Sequence, residues 1–228
     1  MEPPSYASGR LHARPFLAPE MPAPESGLHL LTLPSGREAQ LFVPEIDNPA
    51  DPLPLVVVLH GAAGIDGGAV DYAVQWGAVN TALVLAPKSV NKSWDVLHGG
   101  FGPDCAFIDF ILYWTMQRFI VAPDRIALAG FSDGASYALT LGLMNGQLFH
   151  DILALSPGFV RPLSHEGLPR ISIAHGTDDP ILPVEGARDI ARRLTDGGYD
   201  VKFREFAGGH TVLREVANAG MNRFGYRS

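Results

Sequence analysis

The segment "IALAGFSDGASYALTLGL", residues 126–143, decides how the rest of the chain is read. An apolar run stops at Gly130, Ser132 stands between Gly130 and Gly134, and a helical pattern follows. The pentapeptide "GFSDG" has the G-x-S-x-G form of an elbow between a strand and a helix, which lifts a serine hydroxyl into a cleft. Little space remains for side chains two positions before and after such a serine, hence the glycines. The helix that follows aims its N-terminus at the hydroxyl and favours developing negative charge there. A plain turn serine is the alternative for the pentapeptide alone, and the strand and helix on its two sides weigh against it.

Outward from the elbow the chain alternates. "LHLLTL" and "AQLFV" flank "PSGRE" and read as a hairpin. "LPLVVVLHG" is a β-branched run of the kind buried on both sheet faces, and "TALVLAP" is another. "CAFIDFILYWTMQRF" repeats its apolar residues at helical spacing, and "DGASYALTLGLMNG" is a helix ended by Asn145-Gly146. "RIALAG", "DILALS", "RISIAHG" and "VKFREF" read as strands, while "VEGARDIARRLTDGG" and "TVLREVANAGMNRF" read as helices. This predicts an α/β fold, with a mostly parallel sheet, helices on both faces and an antiparallel edge. No internal repeat is present. Ligands in such sheets bind beyond the carboxyl ends of the strands, so the residues there carry the function.

A serine hydroxyl is a weak nucleophile and needs a base. In the chain order that goes with this elbow, an acid follows and then a histidine. "ISIAHGTDDP" offers Asp178 and Asp179 after one strand, and "VKFREFAGGH" offers His210 after the next. His210 would take the Ser132 proton, and the aspartate would hold the imidazole in the productive tautomer. Asp179 fits the H-G-x-x-D form of the loop; Asp178 stays open. A tetrahedral intermediate also needs N–H donors for its oxyanion. The expected donors are the backbone of Asp133 and of Ala62, with Ala63 next in line. His60 and His175 each precede a glycine at a strand end and read as structural, bonded to loop backbone.

The totals narrow the classes. The 228 residues, 46% hydrophobic and 18% charged, suit one globular domain with a sizeable core. A net charge of −7 without a basic stripe gives no footprint for nucleic acid. No apolar run approaches the ~18–20 residues that span a bilayer, and the chain start lacks a secretory pattern. A single cysteine, Cys105, fits a reducing, cytoplasmic setting and reads as a buried small hydrophobe. No metal motif and no phosphate-loop lysine is present, so metal and nucleotide binding carry little weight. Residues 1–26 hold six prolines and read as an arm laid across the catalytic domain of 27–228, anchored by Leu11, Phe16 and Leu17; a floppy tail is the plain alternative.

Together "VVVLHGAAG", "GFSDGASYAL", "LALSPGF", "HGTDDPILP" and "YDVKFREFAGGH" resemble the α/β-hydrolases, in particular the small serine carboxylesterases of the phospholipase/carboxylesterase type. The polyhydroxybutyrate-depolymerase-like esterases are close to that type. The resemblance runs from about Val56 to His210 and leaves out the proline-rich start. It implies hydrolysis of a small-molecule carboxylic ester through an acyl-enzyme, with no cofactor and a small or absent cap. The stretch "PGFVRPLSHEGLP" is too short for a lid domain, which favours short or soluble acyl esters. Trp94, Leu97, Phe101, Phe159 and Leu182 are the expected cleft lining, with the glycines of "HGGFG" at its rim. Thioesters, cinnamoyl esters and polyesters are alternative substrates. A non-catalytic binding protein and a peptidase rank lower, and a homodimer is neither required nor excluded.

Overall fold

The computed structural model describes residues 6–225. Eight strands form one sheet in the order β1-β2-β4-β3-β5-β6-β7-β8. β1 (Gly27–Thr32) and β2 (Glu38–Val43) are the expected hairpin, and β2 also runs antiparallel to β4 (Leu83–Pro87). β3 (Leu53–Leu59), β5 (Val121–Phe131), β6 (Asp151–Leu155), β7 (Arg170–Gly176) and β8 (Val201–Phe206) are parallel, as is the β3–β4 pair. Every residue of β3 and of β6 is buried, as continuous apolar runs require when helices cover both faces.

Helices α2 (Pro103–Met116), α3 (Asp133–Met144) and α4 (Val184–Asp196) pack on one face. α4 shows how the sequence dictates this. Val184, Ala187, Ile190, Ala191 and Leu194 recur at helical spacing and are buried, while its arginines and carboxylates face water. Helices α1 (Ala69–Val79) and α5 (Arg214–Asn222) cover the other face. No helix among the described residues is long and apolar enough to cross a membrane.

α1 has no counterpart among the expected elements. Its buried positions are Ala69, Ala73, Trp76 and Gly77, mostly small residues behind a glycine-rich loop. The available signal was Asp66, whose carboxylate accepts from the N–H groups of Gly68 and Val70 at 2.9 and 3.1 Å. β5 also begins before the expected Arg125. Pro123 lies inside it, and the register against β3 jumps there between Leu53–Val121 and Leu55–Ile126. The last helix is shorter at both ends than the pattern over 211–224 suggests.

The described part of the proline-rich arm packs on the body. Leu11 is buried in the main core, and Phe16 lies edge-on to Tyr113 with ring centroids 5.5 Å apart. Leu17 is 99% exposed and anchors nothing, contrary to expectation. Farther along the arm, the Gln117 carbonyl accepts from the N–H groups of Glu20 and Met21 at 2.8 and 3.0 Å. Residues 1–5 of the arm, and 226–228, lie outside the described residues.

Candidate active site

The elbow forms where β5 meets α3. Ser132 sits between them at φ 57°, ψ −119°, a backbone conformation an L-residue adopts only under constraint. The constraint is close packing. A Cβ on Gly130 would strike the Gly134 carbonyl, and one on Gly134 would strike the carbonyls of Leu59 and His60. The Ser132 N–H donates to Leu155 O at 2.9 Å, which ties the elbow to β6.

The loops after β7 and β8 bring the other two groups. His210 Nε2 lies 2.9 Å from Ser132 Oγ, and His210 Nδ1 lies 2.6 Å from Asp179 Oδ2. Ser132 and Asp179 are buried, and the imidazole is packed against the Phe131 ring at 4.8 Å between centroids. Asp179 Oδ1 accepts from the N–H groups of Ile181 and Leu182, each at 2.9 Å. Burial alone would raise this carboxyl's pKa. The Leu182 N–H, His210 and the Ile181 N–H outweigh it and hold the group below its ordinary range, so Asp179 is anionic. Asp178 is exposed, its carboxylate accepts from the Thr177 hydroxyl at 3.3 Å and its N–H donates to Gly208 O, which separates the two aspartates. A hydroxyl, a ring and a carboxylate in such a line allow the ring to accept the hydroxyl proton while the carboxylate stabilises the cation formed.

Of the two expected oxyanion donors, Asp133 follows Ser132 directly and Ala62 follows Gly61, on which a Cβ would lie 3.1 Å from Ser132 Cβ. Asp133 opens α3, so its N–H has no carbonyl one turn earlier within the helix. Ala62 opens a short 3-10 turn, Ala62–Gly64, directly after His60-Gly61. Ala63 differs from Ala62. It sits at φ 57°, and its N–H is spent on the Lys92 carbonyl. His60 is indeed bonded to backbone: Nε2 accepts from the Ser89 N–H at 3.0 Å, which leaves Nδ1 to donate to Gly61 O at 2.6 Å.

His175 does more than the sequence reading assigned to it. Its Nε2 lies 2.7 Å from Leu182 O and 3.2 Å from Asp179 Oδ2, so one wholly buried ring holds both ends of the acid loop. The H-G-x-x-D spacing carried that signal, since residues i and i+4 of a tight loop can meet. Ser136 was also missed. Its hydroxyl donates to Ser132 O and accepts from the N–H groups of Gly158 and Phe159, fixing the loop after β6 against the elbow.

Of the expected lining, Leu97 is exposed while Phe159 and Leu182 are half-buried. Leu182 packs close to Gly158. Trp94 and Phe101 are core residues instead. Trp94 is fully buried, stacked on Tyr137 with centroids 5.2 Å apart, and Phe101 packs beside the same tyrosine. Their burial follows from the anchoring of the loop after β4. Asp95 Oδ2 accepts from the N–H groups of Gly102, Asp104 and Cys105, and Asp95 Oδ1 accepts from Tyr137 Oη. This draws the loop inward over α3. Cys105 is buried with its thiol held protonated by burial and by the carboxylates of Asp95, Asp109 and Asp104. Residues 156–169, between β6 and β7, contain neither helix nor strand.

A family model described as Phospholipase/Carboxylesterase matches residues 105–219. Among curated proteins, the chain is similar to a probable feruloyl esterase C of Aspergillus niger, 26% identical over 187 residues that make up 76% of this chain and 65% of that protein. It therefore spans just under two thirds of that relative's length. It is also similar to an acyl-protein thioesterase 1 of Gibberella zeae, 32% identical over 105 residues, 42% of this chain and 45% of that protein. Among solved structures, it superposes on the fluorophosphonate-binding serine hydrolase F of Staphylococcus aureus with a TM-score of 0.69 at 16% identity, covering 86% of this chain and 96% of that one. At that identity the likeness is one of fold.

Proposed function

The chain belongs to the phospholipase/carboxylesterase family, and from that membership we propose that it hydrolyses carboxylic esters through an acyl-enzyme on Ser132. The observation that carries this reading is the unbroken line from Ser132 Oγ through His210 to Asp179, at 2.9 and 2.6 Å. Ser132 Oγ attacks the ester carbonyl carbon as its proton passes to His210 Nε2. The carbonyl oxygen becomes an oxyanion and is met by the N–H groups of Ala62 and Asp133. The intermediate collapses, and the departing alkoxide leaves with the proton from His210. Water then attacks the acyl-enzyme, giving its proton to His210, and the acid is released as Ser132 regains its hydrogen. No cofactor enters these steps.

The short segment between β6 and β7 leaves the site uncapped and favours short or small soluble acyl esters. A second reading, cinnamoyl esters, is favoured by the curated relative named a feruloyl esterase. A third, thioesters, is favoured by the relative named an acyl-protein thioesterase, over a smaller share of the chain. Assaying p-nitrophenyl acetate and butyrate, methyl ferulate and an acyl thioester side by side ranks the three. The decisive variant is Ser132→Ala. It should lower kcat by at least ~10⁴-fold on every substrate turned over and abolish labelling by a fluorophosphonate probe. Activity unchanged in that variant would sink the reading.

A further inference from the structure

The oxyanion donors sit on two different elements, the turn after β3 and the start of α3, and something must hold them at a fixed separation. The segment after β4 touches both. The Lys92 carbonyl accepts the Ala63 N–H, in the same turn as Ala62. Ser93 Oγ donates to Asp133 Oδ2 at 2.7 Å. Trp94 Nε1 donates to His60 O at 2.8 Å. Three consecutive residues therefore bind the turn, the elbow helix and the residue that follows β3 in succession.

The segment is itself fixed at both ends. On one side the Ser89 N–H is held by His60 Nε2 and the Val90 N–H by Asp104 Oδ1, at 3.0 and 2.8 Å. On the other, Asp95 collects three backbone N–H groups and the Tyr137 hydroxyl. Ser93 is buried, so its hydrogen bond competes little with water. Its partner matters for a second reason. Asp133 carries a carboxylate on the very residue whose N–H faces the developing oxyanion, and a negative charge turned that way would oppose the reaction. The Ser93 hydroxyl holds this carboxylate toward the loop after β4.

We propose that Ser93 is a positioning residue for the oxyanion hole, acting through Asp133, with Lys92 and Trp94 fixing the opposite donor-bearing turn. The inference rests on the serine-esterase reading above. It concerns the transition state more than the bound ester, so it has a kinetic signature. Ser93→Ala should lower kcat about 10-fold or more, a fraction of what removal of a donor itself costs, with KM little changed. Inhibition by a trifluoromethyl ketone, which forms a tetrahedral oxyanion adduct, should weaken in parallel with kcat/KM. Ser93→Thr, which keeps the hydroxyl, should restore most of the rate.

Asp133→Ala keeps the backbone donor and removes the anchored carboxylate, and it serves if Ser93→Ala does not fold. The Ser93→Ala/Asp133→Ala pair should lose no more than the worse single variant, because both remove one contact. Wild-type kcat in Ser93→Ala, no rescue by threonine, or fully additive losses would overturn the proposal. The Ser132→Ala control separates the two failures. If that variant is inactive while Ser93→Ala is unimpaired, the positioning role alone falls; if Ser132→Ala stays active, the esterase reading falls with it.

Discussion

The residue on which the site's chemistry turns most finely is Asp179. Its pKa is held below the ordinary carboxylate range by N–H donors and His210 against the opposing effect of burial. A lowered folded pKa means that the carboxylate contributes stability above its unfolded pKa and loses it as pH falls through the folded value. Acid titration followed by circular dichroism should therefore show Asp179→Asn less sensitive to pH than the parent at the acid end. Ser132, Asp179 and His210 were legible in the sequence because each follows a strand in the order the elbow demands. Ser93 and the Asp179 contact of His175 were not. Both depend on how separate loops fold over one another, and no local pattern encodes that. Trp94 and Phe101 were misplaced for the same reason: an aromatic in a glycine-rich loop reads as lining until Asp95 is seen to pull that loop into the core.

Among the elements, the contact of β3 and β5 with α3 sets the tolerance of the whole site. α3 can begin at Asp133 only because Gly134 lets its first turn rest on the carbonyls of Leu59 and His60. Those carbonyls belong to the last residue of β3 and the residue after it, and His60 O is also the acceptor of Trp94 Nε1. Gly134→Ala would place a methyl group against backbone that cannot rotate away. The expected cost is about 1–3 kcal/mol, measured as a lowered denaturation midpoint at unchanged m-value. The loss of activity should exceed what the unfolded fraction accounts for, since the shift would move Asp133 away from the turn that carries Ala62. Elements with a long apolar run or a strong helical repeat, such as β3, β6 and α4, were legible because their burial follows from their own residues. α1 was not, since alanine and glycine at its buried positions leave little periodic contrast. β5 was read short because Pro123 marks a break locally, while pairing with β3 on either side of that break, at Val121 and again from Ile126, carries the strand through; β6 joins only from Ala127.

For the molecule as a whole, the question is whether the proline-rich arm is an appendage or part of the fold. Composition sets residues 1–26 apart, yet the contacts of the described arm residues join it to the body. The Leu11 N–H donates to Asn145 Oδ1 while Asn145 Nδ2 donates to Gly9 O, each at 2.9 Å. Asp109, buried on α2, accepts from the N–H groups of His12 and Ala13 at 2.7 and 2.8 Å, and from Tyr6 Oη at 3.1 Å. Burial and the Asp109 charge push the Tyr6 hydroxyl up to about 12, so it stays a donor. Arg10 pairs with Glu166 in the segment between β6 and β7. Detaching the arm would leave the Asp109 carboxylate and the Asn145 amide uncovered of these partners, and would expose the pocket that Leu11 fills. Leu11→Ala should therefore cost about 2–5 kcal/mol of global stability, as a buried leucine does in a core. We propose that arm and body unfold as one unit. Tryptophan fluorescence and far-ultraviolet signal should then share one midpoint in the parent and move together in Leu11→Ala. An arm that merely lies on the surface would give a different result. The midpoint of the body would stay where it was, and only signals local to the arm would shift.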